Sequence, residues 1–283
     1  MADTEIRSGG PPVSLYAAVA AGGFRRYATY RAATAAGVVA NTAFGFVIAW
    51  TYVALWRARP HLAGYDLGSA VTFAWIGQAL VATVALWGGG FQYDLDDRIR
   101  TGDVAVDLAR PVDQQAWWLA SDVGRAGFEV LIRGTVPMLI GALCFPLRFP
   151  SGGAAAAALA WAATAVSVLL AVVVSFGVRY MVALIGFWSG ASSGPRQLMA
   201  VIGMVLSGLV VPLPLFPPAL AALAQALPWS CVLQIPADVF LQRDTGAGLA
   251  RALGEQLAWA VVLLACGRLV QRRAARRVVL QGG

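Results

Sequence analysis

The chain of 283 residues is 59% hydrophobic and only 12% charged, against roughly a quarter charged in an ordinary soluble domain. With a mean hydropathy of +0.70, this excludes a conventional soluble enzyme, a disordered chain and a disulfide scaffold. All 21 basic residues are Arg and 14 acids leave a net charge of +7, which in so apolar a chain points to anionic lipid and not to nucleic acid.

Runs apolar enough to cross about 30 Å of hydrocarbon fall at 34–56, 67–87, 128–147, 154–176, 196–214 and 252–270. The expected fold class is therefore all-α, a polytopic membrane protein with six transmembrane helices in a single domain over 34–270. The first run is too long for a signal-peptide core and has no small-residue cleavage site, so it is expected to remain. The fourth is ambiguous at its end, where 180–188 follows Arg179 either as a continuation or as an interfacial turn. With the N-terminus inside, sixteen of the Arg fall on the cytoplasmic side and only Arg57, Arg59, Arg148, Arg243 and Arg251 outside. Arg resists translocation, so both termini are expected in the cytoplasm.

Between the spans lie three informative pieces. In 14–31, Leu15, Val19 and Gly23 recur at four-residue spacing beside Tyr16, Ala20 and Phe24, backed by Arg25, Arg26 and Arg31. This fits an N-terminal interfacial helix on the inner leaflet within a unit 1–33, the alternative being a basic tail. The loop 88–125 is the longest polar stretch, with seven of the fourteen acids, and is the one hydrophilic surface large enough to dock a soluble partner. There Gly102 frees the backbone and Pro111 disfavours helix at the residue before it, predicting a short helix, a turn and a second short element. The segment 211–248 carries Pro212, Pro214, Pro217, Pro218, Pro228 and Pro236 around two apolar stretches too short to span, 219–227 and 231–241. These are expected as extracellular re-entrant or interfacial helices. A basic cytoplasmic tail, 271–283, closes the chain.

Catalytic material is scarce. Gly190-Ala-Ser-Ser-Gly194 spells a nucleophile elbow, but that motif needs a strand entering a helix and this neighbourhood is apolar helix. His61 is the sole histidine, and Cys144, Cys231 and Cys266 form no CxxC or Cys/His cluster, so no metal site is indicated. Asp94, Asp96, Asp97 and Asp103 read as a solvated face. Without any Lys the P-loop lysine is lacking, so ATP would be handled by another polypeptide. Ion-coupled transport wants an ionisable group near the midplane; Glu129 and Arg133 lie at a span's start and read as a local i, i+4 pair. Asn41, Thr42, Gln78, Thr83 and Ser207 either line a cavity or hydrogen-bond neighbouring helices.

The order of these pieces, together with local sequence, resembles the permease subunit of bacterial type 2 (ABC-2) ATP-binding cassette exporters over nearly the whole chain. The resemblance rests on Ile99-Arg-Thr-Gly-Asp103 leading to Leu108-Ala-Arg-Pro111, then Phe187-Trp188 and Ser207-Gly208. It continues through Val211-Pro-Leu-Pro-Leu-Phe-Pro217, Leu227-Pro-Trp229 and Arg276-Arg-Val-Val-Leu-Gln-Gly-Gly283. It implies a non-catalytic subunit in the bacterial plasma membrane, paired with a second permease, identical or paralogous, and with two copies of a cytoplasmic ABC ATPase. ATP and Mg would sit on the ATPase and no cofactor on this chain. The loop 94–111 would enter a groove of the ATPase, with Asp96, Asp97, Arg98, Arg100 and Asp103 as a charged rim and Leu95 and Ile99 as buried anchors. Gly102, Arg110 and Pro111 complete that set. The path between the two permeases would be lined by Asn41, Phe44, Gln78 and Met204, with Leu206 and Val210 as plug residues, though ordinary helix packing also accounts for the Met and aromatic members. The implied activity is export of a hydrophobic or amphiphilic small molecule or lipid. An ion-gradient-driven transporter, an intramembrane lipid-metabolism enzyme and a structural subunit are the alternatives; the lack of midplane acids and the lone His61 weigh against the first two.

Overall fold

A computed structural model describes residues 13–190 and 192–278. Ala191 of the elbow-like motif and the outer parts of both expected tails lie outside the described residues. Helices α1 (Val13–Thr29) and α2 (Arg31–Ala58) are separated at Tyr30, whose ψ of 61° leaves helical geometry. Four helical rods are long and apolar enough to cross a membrane: α2, Gln114–Cys144, Ala154–Ser189, and the bulk of α13 (Ala247–Val278). The chain is thus a multi-pass membrane protein whose regular elements, among the described residues, are all helical.

The second and fifth apolar runs form shorter helices. Helix α3 (Leu67–Thr83) has 17 residues, about 25 Å at 1.5 Å per residue, and α10 (Ser193–Leu206) has 14, about 21 Å. Each falls short of the hydrocarbon thickness as helix alone. The sequence explains both stops. Beyond α3 the chain turns through Gly88, Gly89 and Gly90, all at positive φ, a conformation that side chains resist. Beyond α10 comes Gly208 at φ 88°, then prolines that cannot donate to a helical ladder. From Ala70 to Thr83 every residue of α3 except Ala79 and Ala82 is buried, so this helix meets protein and not lipid around nearly its whole circumference.

The third run does not start where composition places it. Helix α6 (Gln114–Glu129) begins at Asp113, whose carboxylate accepts the Ala116 N–H at 2.8 Å. It passes through a π turn, Val130–Gly134, into α7 (Thr135–Cys144). Residues 114–125, expected as loop, are therefore the base of a continuous rod. Pro137 lacks the N–H that would bond the Arg133 carbonyl and its ring crowds that carbonyl, which accounts for the widened turn just before it. Helix α8 (Ala154–Leu184) runs on through α9 (Gly186–Ser189), making 180–188 a continuation of the fourth run. In α13 the buried Gln256 locks onto α8: its carbonyl accepts the Ser167 hydroxyl at 2.8 Å and its amide donates to the Ser167 and Cys231 carbonyls.

Packing converges on Trp75 of α3. A side chain at Gly45 of α2 or Gly141 of α7 would lie 2.6 or 2.4 Å from its ring, so both glycines are what lets α2 and α7 close on α3. A second apolar cluster gathers where α4 (Phe91–Thr101) and α5 (Val104–Ala109) meet α6 and α8, around Phe91, Leu95, Val104, Trp118, Phe176 and Tyr180. Helix α1 lies along α6 at closer range still. A Cβ at Gly124 would meet the Ala20 carbonyl oxygen at 1.8 Å and one at Gly23 the Ser121 carbonyl oxygen at 2.3 Å. At the opposite end of the bundle α11 (Pro218–Ala226) and α12 (Gln234–Phe240) interrupt the proline-rich segment. Gln234 anchors α12 by accepting the Leu213 N–H at 2.9 Å and donating to the Tyr65 hydroxyl and the Asp238 carboxylate. Arg243 stacks 3.7 Å from the Tyr65 ring centre.

Candidate functional site

The helices α4 and α5 meet at Gly102, whose φ of 85° ends α4 and reverses the chain. Their arrangement divides the residues of the loop into an inward and an outward set. Leu95 is buried in the chain's own core, so it cannot anchor a partner as the sequence predicts. Ile99 is half-buried against the same cluster, close to Gly186. Asp96 also turns inward: its carboxylate accepts the Ser192 N–H at 3.1 Å and an Arg196 N–H at 3.2 Å, joining α4 to the start of α10. Outward stand Asp97, paired with Arg100 at 2.6 Å, then Gly102, Asp103, Arg110 and Pro111, all exposed. Val106, outside the docking set that the sequence predicts, is a large apolar residue exposed beside them.

Charged pairs brace this tip. Arg98 grips the buried carboxylate of Asp107, which Arg110 also approaches at 3.5 Å. The hydrogen bond from Arg98 to Asp107 outweighs desolvation and raises its guanidinium pKa further, so it stays charged. Arg26 of α1 grips Asp94 of α4. Between α1, α4, α5 and the base of α6 this leaves a groove of about 730 Å³, lined by Arg26, Asp94, Arg98, Asp107, Arg110 and Trp117 among others.

Beneath the tip lies a set of charges that sequence reasoning counted only as orientation signals or loop acids. Asp122 of α6 is fully buried between Arg125, at 2.7 Å, and Arg179 of α8. Arg125 donates onward to the Ala82 and Thr83 carbonyls, at 2.7 and 2.9 Å, where α3 ends. Gln92 of α4 donates to the Arg179 carbonyl at 3.4 Å, and the Arg179 guanidinium lies 5.0 Å from the Phe91 ring centre. One carboxylate thus joins α3, α4, α6 and α8. The signal was present in the sequence: Arg179 stands inside an otherwise apolar run and requires a buried acid.

The residues nominated for a path are dispersed. Asn41 donates its amide to the Gln78 carbonyl at 3.1 Å, and both are buried where α2 meets α3. Phe44 and Val210 are exposed, while Met204 and Leu206 are half-buried, Met204 against the central core. The Val210 carbonyl accepts the Tyr52 hydroxyl at 3.2 Å, fastening the end of the fifth run to α2.

The structure is a helical multi-pass bundle whose charged, helix-turn-helix tip is tied through the Asp122 network to α3, α6 and α8. Residues 41–282 match the profile described as ABC-2 family transporter protein, and the chain belongs to that family. Comparison with curated proteins and with solved structures gives no match. Membership makes the chain a membrane-embedded permease of an ABC transporter, a subunit that works with an ABC ATPase.

Proposed function

We propose that this permease exports a hydrophobic or amphiphilic small molecule or lipid across a bacterial plasma membrane, driven by a separate ATPase that carries ATP and Mg. Both termini, the tip of α4 and α5, and the Arg-rich end of α13 face the cytoplasm. Helix α1 borders the inner leaflet, and α3 and α10 complete six crossings with their flanking turns. The segment 211–248, with α11 and α12, re-enters from the outside. Two copies of the permease, or this chain and a paralogue, pair with two ATPases.

The observation that carries this reading is the exposed tip. Asp97, Arg100, Asp103 and Arg110 supply a polar rim and Val106 an apolar centre, the composition that docking surfaces use. Leu95, Asp96 and Ile99 brace that tip from within. The path for cargo lies on the faces of α2, α3 and α10, with Phe44 and Val210 toward the second permease and Asn41 and Gln78 holding the α2–α3 wall.

The test is purification of the tagged chain from its host in detergent, followed by ATPase assay of the complex in lipid. The expected result is a nucleotide-binding subunit in about one-to-one ratio whose turnover depends on residues 94–111. Purification of the chain alone, with transport in liposomes driven by an ion gradient, would replace the reading with that of a secondary transporter.

A further inference from the structure

The bundle has a second cavity, of about 320 Å³, on the side away from the tip groove. This volume falls within the roughly 300–1,000 Å³ of small-molecule sites. Its floor is the Ile76 and Leu80 face of α3; Met138 and Leu139 of α7 form one wall and Trp161 and Val168 of α8 the other. The two walls are held by different neighbours, because α7 packs on α2 and α3 while α8 packs on α12 and α13. The cleft between them stays open along its rim, where Leu139, Phe149 and Trp161 are exposed. Phe240 of α12 closes one end through ring contacts with Phe149 at 5.9 Å and Trp161 at 5.5 Å.

Three observations say what fills it. First, its walls belong to rods that cross the membrane, so hydrocarbon and not water is the medium at its mouth. Second, its two hydroxyls are already satisfied within their own helices: Thr135 donates to the Val130 carbonyl and Thr164 to the Ala160 carbonyl, at 3.0 and 2.8 Å. Water needs two to four polar partners to occupy a cavity, and apolar cavities without them stay dry. Third, the π turn Val130–Gly134 forms part of the wall. A side chain at Gly134 would come within 3.0 Å of the Ala79 carbonyl oxygen on α3, so the backbones close the cleft at that end.

We propose that this cleft holds an acyl chain of a bilayer lipid, entering sideways between α7 and α8. The site shares α3 with the proposed cargo path but lies on its Ile76 and Leu80 face, between α7 and α8. It depends on these rods crossing a membrane and not on the transport reading, which can fail while the lipid site stands.

The experiment uses the full chain in phosphatidylcholine vesicles doped with a phosphatidylcholine bearing a photoreactive diazirine in mid-chain, with adducts mapped by mass spectrometry. Leu257 and Val261, exposed on α13, report contact with bulk lipid. Ile76 and Leu80, buried on the floor, are reached only by a chain seated in the cleft. The expected result is floor labelling at least equal to that of Leu257 and Val261, falling five-fold or more in Thr164→Phe, which fills the cleft without orphaning a polar group. Labelling of α13 should be unchanged in that variant. Unlabelled floor positions overturn the proposal, as does a folded Thr164→Phe that labels like the parent. The floor-to-surface comparison in the parent chain decides the matter even if that variant fails to fold.

Discussion

At the scale of single residues, the buried carboxylate of Asp122 sets the strongest constraint. Removing one partner of a buried ion pair typically costs about 3–5 kcal/mol, because the remaining charge is left uncompensated. Asp122→Asn leaves Arg179 in that condition, while Arg125 retains its bonds to the end of α3. The variant is expected to melt at markedly lower temperature in detergent, and Arg179→Met combined with it should recover part of the loss. Asp66 makes the opposite case, a carboxylate near the surface. Partial burial pushes its carboxyl up, but the Ser69 N–H and the Arg148 guanidinium outweigh this and hold it below the usual carboxylate range. A lowered pKa contributes stability above the unfolded value of about 3.9, and that contribution is lost as pH falls through the folded value. Asp66→Asn should therefore flatten the acid limb of a pH titration of stability below about pH 4 and leave the limb above pH 6 unchanged.

At the scale of elements, the tip and its braces separate two functions that the sequence merges. Val106→Asp alters only an exposed position, so it should abolish transport-linked ATPase stimulation while expression and melting temperature stay close to the parent. Ile99→Asp, by contrast, places a charge against the half-buried face and should lower the melting temperature as well, so comparing the two by ATPase assay and thermal melt distinguishes docking from support. The helix-turn-helix form of this region was legible, because Gly102 and Pro111 are local signals whose effect does not depend on tertiary contacts. The inward turn of Leu95 and Asp96 was not, since which face of a short amphipathic helix is covered depends on α8 and α10, far along the chain. The same holds for the rods: apolar composition located the third run but not its true start, because the base of α6 is polar on one side and is kept helical by the Asp113 cap and by α1. The closeness of α1 to α6 turns on Gly23 and Gly124, and nothing in their local sequence distinguishes them from the other glycines. Gly124→Leu, which would drive a side chain into the Ala20 carbonyl, should displace α1 and expose it to proteolysis.

At the scale of the whole molecule, the distribution of Arg and the position of the tip bear on one orientation. In a chain with Cys144, Cys231 and Cys266 replaced by Ala, Thr101→Cys and Ser151→Cys place single thiols at exposed positions of opposite ends of the bundle. In intact cells a membrane-impermeant maleimide should label the position-151 thiol and spare the one at 101 until the cells are broken; the reverse pattern would invert the topology. Family membership was within reach of the sequence because the order of spans, loop and proline-rich segment extends over the whole chain. The number of full-length helical crossings was not, because hydropathy alone cannot tell a lipid-facing rod from a short helix such as α3 that is enclosed by its neighbours.

The continuous rod from Gln114 to Cys144 has a mechanical meaning. Asp122 pins it 8 residues from its base and 22 from its far end, distances of about 12 and 33 Å along the helix. Were the rod to pivot at that point it would be a lever of unequal arms, and a displacement of 1 Å at the base would become nearly 3 Å at the other end. The π turn at Val130–Gly134 lies within the longer arm, between that point and the far side of the bundle.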